Sequence, residues 1–272
     1  MKRINLICGF LLASSTVLAG MSVGGHIELA MWGDHRSETS TDRNRYRHPV
    51  GTLEFFGLTP DMAVLEIWPG GGWYTEVLAP VLRDSGTMTI ATWDPNVEGQ
   101  PAYRYERPKQ MQTAFDARPD VYDRVKVVYF SPPESASLGN ADSQDMVLTF
   151  RNTHGWIRNG QAQDIFNEFA RVLKPGGVLG VVQHRAAEDA DSEASVPMGY
   201  VPESAVIAIA EAAGLVFEAR SEINANPADT RDHPEGVWTL PPGFALGDED
   251  REKYAAIGES DRMTLRFRKP SS

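Results

Sequence analysis

Residues 66–75, EIWPGGGWYT, set three consecutive glycines, Gly70, Gly71 and Gly72, between an apolar run and a helix-like run. Glycine at such a turn permits positive φ and lets a ligand approach the main chain, while the free N–H groups of the following helix face polar or anionic atoms. That is nucleotide-binding chemistry. Glu66 stands just before the turn, with Trp68 beyond it and Tyr74 after the glycines. Asp94 closes the next apolar run roughly 20 residues on, where a carboxylate accepts hydrogen bonds from ribose hydroxyls. A match to the dinucleotide pattern fails, because its third glycine would fall on Thr75.

A second group of residues suits reaction. His154 and His184 each follow a further apolar run, and a histidine serves as base or acid near neutral pH. Arg151, Asn152, Trp156 and Arg185 accompany them, and an aromatic face holds a cation. Asn224, Asn226, Asp229, Thr230, His233 and Trp238 lie in a segment rich in Pro, Gly, Asp and Asn, with Glu259, Ser260, Asp261 and Arg262 at its end. These residues either close over a substrate or cap their own loop through Asx turns. His154, His184 and Asp261 do not recur at the spacings of known metal motifs, and no metal is expected.

The elements that must carry these residues alternate strand with helix from residue 63 onward, the pattern of a parallel sheet covered on both faces. Strands are predicted at Ala63–Ile67, Met88–Thr92, Val125–Phe130, Asp145–Phe150, Val178–Gln183, Leu215–Ala219 and Met263–Arg268. Helices are predicted at Tyr74–Leu82, Gln161–Leu173 and Pro202–Ala213, the second stopped by Lys174, Pro175, Gly176 and Gly177. In such a sheet, ligands bind outside the carboxyl ends of the strands, where both groups of residues fall. The long segment 224–261 reads as an ordered flap. Ahead of the sheet, residues 26–49 read as one helix and an irregular charged run. Its Arg43, Arg45, Arg47 and His48 form either a solvated linker or a segment folded back over the cleft.

Together, Glu66, Gly70 and Gly72, the acid Asp94, the strand DMVLTF and the run RVLKPGGVLGVV resemble the class I S-adenosylmethionine-dependent methyltransferases over roughly residues 60–220 and the final strand. The strings EIWPGGGWYTEVLAP, LTFRNTHGW, EINANPADT, GVWTLPP and IGESDRMTLRF look like those of an exported bacterial group of predicted methyltransferases. The resemblance implies an α/β fold with a doubly wound, seven-stranded Rossmann-like methyltransferase sheet, mostly parallel with one antiparallel strand near the C-terminus. It implies S-adenosylmethionine held by Glu66, Trp68, Gly70, Gly71, Gly72, Tyr74, Asp94 and Asn152. Trp68 departs from the family pattern by replacing its first glycine. His154 and His184 are the expected catalytic residues. Trp156, Arg185, His233, Trp238 and Asp261 are expected to meet a small-molecule acceptor with an O, N or S nucleophile. The rivals are a non-catalytic ligand-binding protein on the same scaffold, and a hydrolase or lyase using the flap's His and Asp residues.

Composition limits the partners. The chain has 272 residues, of which 42% are hydrophobic and 23% charged, with a net charge of −11. An acidic body repels phosphate backbones and anionic lipid, so nucleic acid is not expected and a small or cationic substrate is. Residues 1–19 carry Lys2 and Arg3, an apolar run and small residues at the end, the layout of a secretory signal cleaved after Ala19. Export to the periplasm, without stable membrane insertion after cleavage, follows from that reading. The single cysteine, Cys8, would leave with the signal, and the mature chain would have no disulfide and no thiolate nucleophile. Residues 20–59 are then an N-terminal extension, and 60–272 one domain with the flap at 224–261.

Overall fold

The computed structural model describes residues 20–271. The expected signal segment, with Cys8, lies outside the described residues.

The chain first builds four helices, α1 (Val23–Met31), α2 (Glu38–Thr41), α3 (Asn44–Arg47) and α4 (Pro49–Phe56). The charged run is therefore ordered rather than irregular, and the reason is a set of anchors to the helix that follows the glycine turn. Arg36 is wholly buried and donates to Glu76 Oε2 at 3.0 Å, to Asn44 Oδ1 at 3.0 Å and to the Met31 carbonyl at 2.9 Å. The Trp73 indole N–H donates to the Ser40 carbonyl at 2.8 Å, and Arg36 and Arg47 both lie over the Trp73 ring.

The sheet follows as β1 (Ala63–Ile67), α5 (Thr75–Leu82), β2 (Thr87–Thr92), α6 (Ala102–Ala117), α7 (Pro119–Tyr122), β3 (Lys126–Tyr129) and β4 (Gln144–Phe150). It continues through α8 (Thr153–Arg158), α9 (Ala162–Val172), β5 (Leu173–His184), α10 (Ser192–Ser195), α11 (Glu203–Ala212), β6 (Val216–Ser221), α12 (Arg251–Ile257) and β7 (Arg262–Arg268). Strand order is β3-β2-β1-β4-β5-β7-β6, with β7 antiparallel to both neighbours and the other pairings parallel. This is the seven-stranded Rossmann-like methyltransferase sheet.

Alternation along the strands fills two cores. Leu65, Ile67, Val147 and Val181 meet Ile165, Phe166 and Phe169 of α9 and Val206 of α11 on one face. Val64, Met146, Leu148 and Val182 meet Leu53 and Phe56 of α4 and Val77 and Leu78 of α5 on the other. Gly180 of β5 is where Phe56 presses on the sheet, since a Cβ there would stand 2.8 Å from the ring. The Lys174–Gly177 turn loops out of the β4 ladder, which pairs Gln144 with Leu173 and resumes at Met146 with Val178. The 16-residue α6 has only Met111 and Phe115 buried, so its sequence carries little helical periodicity.

Candidate functional site

Strand order reverses between β1 and β4, and ligands bind in the crevice that such a reversal opens. Beside β1, Gly70 and Gly72 take φ of 63° and 80°, and Trp68 takes 43°, a left-handed value that favours glycine. A Cβ on Gly70 would meet no atom within 4 Å, and one on Gly71 only Arg107 Nη1 at 4.0 Å. The main chain therefore faces open space there. Gly70 and Gly71 border a cavity of about 500 Å³, which Trp68, Asn152, His154, His184 and Trp238 also line.

Trp68 is 7% exposed, and its indole N–H donates to the Phe130 carbonyl at 2.9 Å. Its ring lies 5.3 Å from Trp93 and 5.6 Å from Trp156, with the Arg104 guanidinium over its face. An indole thus walls the cavity on the side of β2 and β3. Asp94, after β2, uses Oδ1 to accept from the Asn96 N–H at 2.9 Å and from Asn96 Nδ2 at 3.0 Å. Glu66 points away from the cavity toward α5, where Thr75 Oγ1 donates to it at 2.6 Å. Burial raises its carboxyl to about 7 against that hydrogen bond. Tyr74 is also behind the turn, stacked on Phe150 at 3.6 Å and donating to the Arg47 carbonyl at 3.0 Å.

Beside β4, Asn152 Nδ2 donates to the Ile67 carbonyl at 2.9 Å and to Thr149 Oγ1 at 3.2 Å, tying the ends of β1 and β4 together. Arg151 has a φ of 66° and lines the cavity with Arg43 and Arg47 from the N-terminal extension and Arg262 from β7. Of the charged run, Arg45 and His48 line a separate opening. Glu259 is the carboxylate among these cations, accepting from Arg43 Nε at 2.5 Å, from Arg47 Nε at 3.3 Å and from Arg262. Burial alone would raise Glu259, but Arg262, Arg47 and Arg151 hold it well below the usual carboxylate range. The acidity of the chain as a whole is thus reversed locally at this wall.

Both predicted histidines reach the cavity. Gln183 Nε2 donates to His154 Nδ1 at 3.3 Å, taking the side-chain amide as the donor, and burial lowers His154 to about 4. His184 Nδ1 is paired with Ser260 Oγ at 2.5 Å, and burial together with Arg262 lowers it well below its ordinary value. Both rings are neutral near pH 7. The two rings are 5.9 Å apart, and Trp238 of the flap stands edge-on to His154 at 5.8 Å. Val237, Pro241, Pro242 and Gly243 continue the flap's wall.

The remaining predicted residues do not line this cavity. Trp156 is fully buried between Trp68, Phe166 and Phe169. Asp261 accepts two hydrogen bonds from Arg185 at 3.0 Å, one from Arg231 at 2.6 Å and one from the Asn226 N–H at 2.8 Å. His233 is paired with Asp229 at 2.8 Å, and Asp229 also accepts from Tyr200 and from the Asp261 N–H. These groups clasp the flap, which leaves its His and Asp side chains engaged with one another. Sequence reasoning missed Phe150, Trp73 and Arg107 in the cavity wall. They sit in elements whose periodicity reads as core or exposed helix, and only the fold brings them together.

No family model matches the chain. No curated protein matches it either. Solved structures do. The cyclase SpnF superposes with a TM-score of 0.57 at 19% identity, covering 89% of this chain and 86% of that one. A SAM-dependent methyltransferase from Aquifex aeolicus gives 0.55 at 15% identity, covering 91% and 98%. The N-methyltransferase NodS from Bradyrhizobium japonicum WM9 gives 0.50 at 16% identity, covering 86% and 98%. At these identities the likeness establishes a shared fold.

Proposed function

We propose that the chain transfers a methyl group from S-adenosylmethionine to an O, N or S nucleophile of a small molecule in the cavity between the glycine turn and the flap. The observation that carries this reading is the open cradle at Gly70 and Gly71, at the strand-order reversal of a fold shared with methyltransferases. The residues fit the cofactor at this cradle and meet it with Trp68, backed by Trp93, in place of the family's first glycine. Bound there, S-adenosylmethionine supplies an electrophilic methyl group.

The chain's own residues position and deprotonate. Gly70 and Gly71 leave room for the ligand, Asn152 fixes the turn against β4, and Trp238 stands edge-on against His154. His184, neutral at pH 7, donates from Nδ1 to Ser260 Oγ and accepts the proton of an acceptor nucleophile at its other ring nitrogen. His154, which takes the Gln183 hydrogen bond at Nδ1, keeps its own proton on Nε2 and orients the acceptor. Positioning and exclusion of water account for most of the rate. Calorimetric titration of the full chain with S-adenosylmethionine and S-adenosylhomocysteine tests this: both bind with micromolar affinity, and absence of heat and of thermal stabilisation at millimolar ligand would end the reading.

Trp68 favours a second reading, a protein on the same scaffold that binds another ligand or performs another reaction. The neighbour SpnF is a cyclase, so the fold is not confined to methyl transfer. Failure of the titration leaves this reading in place. Export is proposed separately, and an exported protein whose N-terminus begins near Gly20 supports it.

A further inference from the structure

We infer that the methyl acceptor is a phosphate monoester, its dianionic group seated on the arginine wall of the cavity. Arg43, Arg47, Arg151 and Arg262 all line it, and Glu259 is the only carboxylate these four contact among the described residues. Four cations against one anion leave an excess of positive charge on this wall of the cavity.

Hydrogen bonding shows the same imbalance. Arg47 and Arg262 have side chains 2% and 4% exposed, yet Arg47 Nη1 and Arg262 Nε have no hydrogen-bond partner. Arg151 comes no nearer to Glu259 than 3.9 Å, beyond hydrogen-bond range. Buried donors without acceptors are costly, and guanidinium groups suit phosphate oxygens because their forked donors match them. Burial lowers Arg47 and Arg151, and neighbouring arginines lower them further, Arg151 to about 10. An anion relieves that mutual repulsion.

S-adenosylmethionine does not supply the missing charge, since its one carboxylate is outweighed by its own ammonium and sulfonium. A phosphate monoester carries a charge of about −1.5 to −2 near pH 7. The assignment rests on the methyl-transfer reading for the word acceptor, and on the arginine wall for the anion.

The test titrates inorganic phosphate, acetate and S-adenosylhomocysteine separately into the full chain and into its Arg151→Gln and Arg43→Gln variants. The Arg43 side chain is 21% exposed, so its variant keeps the fold if Arg151→Gln does not. Expected are one phosphate per chain, acetate at least about tenfold weaker, and a loss of about tenfold or more in phosphate affinity in each folded variant. The affinity for S-adenosylhomocysteine stays unchanged. No phosphate binding, or equal binding by wild type and variants, overturns the inference while S-adenosylhomocysteine binding preserves methyl transfer. Phosphate binding without S-adenosylhomocysteine binding preserves the anion site and removes the methyl-transfer reading. Mutual exclusion of phosphate and S-adenosylhomocysteine assigns the arginines to the cofactor's carboxylate and overturns the inference.

Discussion

At Glu66 the sheet and α5 enclose a carboxyl whose one side-chain partner is the Thr75 hydroxyl. Its value rises from 4.5 to about 7, so between those limits the folded chain holds a proton that the unfolded chain has released. Its contribution to stability is therefore lost as pH rises through that window. Glu66→Gln keeps an acceptor for Thr75 and removes the charge. The variant is expected to match wild type in urea unfolding at pH 4.5 and to exceed it by up to about 3 kcal/mol at pH 8. A difference that does not vary with pH would contradict the burial argument. His154 provides the opposite case, since its value falls to about 4. The unfolded chain alone takes up that proton between about pH 6.5 and 4, so its stability contribution is present above 6.5 and lost toward 4. The His154 ring resonances are accordingly expected to show no titration between pH 5.5 and 8, and a midpoint near 6.5 would refute a buried neutral ring. Glu66, Gly70 and Gly71 were legible in the sequence because they share one short turn. The direction in which Glu66 points was not, because β1 is buried on both faces and its pattern does not distinguish them.

The flap is the element that sequence located but did not explain. Residues 224–261 carry no strand, yet they are held by an ordered clasp in which Asp261 joins Arg185 after β5 to Arg231 and Asn226 within the flap. Asp261 is 1% exposed, so removing its charge leaves two arginines facing a buried amide. Asp261→Asn is expected to cost about 3 kcal/mol and to make the flap the first site of limited proteolysis. Unchanged proteolysis within 224–261 would mean that the clasp does not hold it. Trp156 looked like a substrate contact because it follows β4 beside His154. Its place in α8 turns it instead into the gap between Trp68 and α9, a choice made by packing that no local pattern records. The same applies to the charged run before β1. It admitted both a solvated linker and a segment folded back over the cleft, and it folds back because Arg36 and Arg47 find acceptors far along the chain.

Across the whole molecule, the order of the strands places the two sets of residues opposite each other. β1 delivers the glycine turn, β4 and β5 deliver Arg151, Asn152, His154 and His184, and the flap between β6 and β7 lies above them. Strand number and order of appearance follow from the alternation of apolar runs, and the antiparallel strand near the C-terminus was implied by the resemblance, so the sheet was legible in advance. The arginine wall was not, because its members come from residues 43, 47, 151 and 262 and only the closed fold unites them. The chain's charge of −11 describes the surface average, and the arginines of this cavity oppose it locally. The most direct test of the central claim, that the cradle beside the turn holds the adenosyl cofactor, uses Gly71→Val. Gly71 is exposed and its φ is not positive, and a Cβ there enters the open space by the turn. The measurement is the change in thermal midpoint that S-adenosylhomocysteine produces in wild type and variant. The account predicts a clear rise in wild type, no rise in Gly71→Val, and the same midpoint for both chains without ligand. An equal rise in both would contradict it.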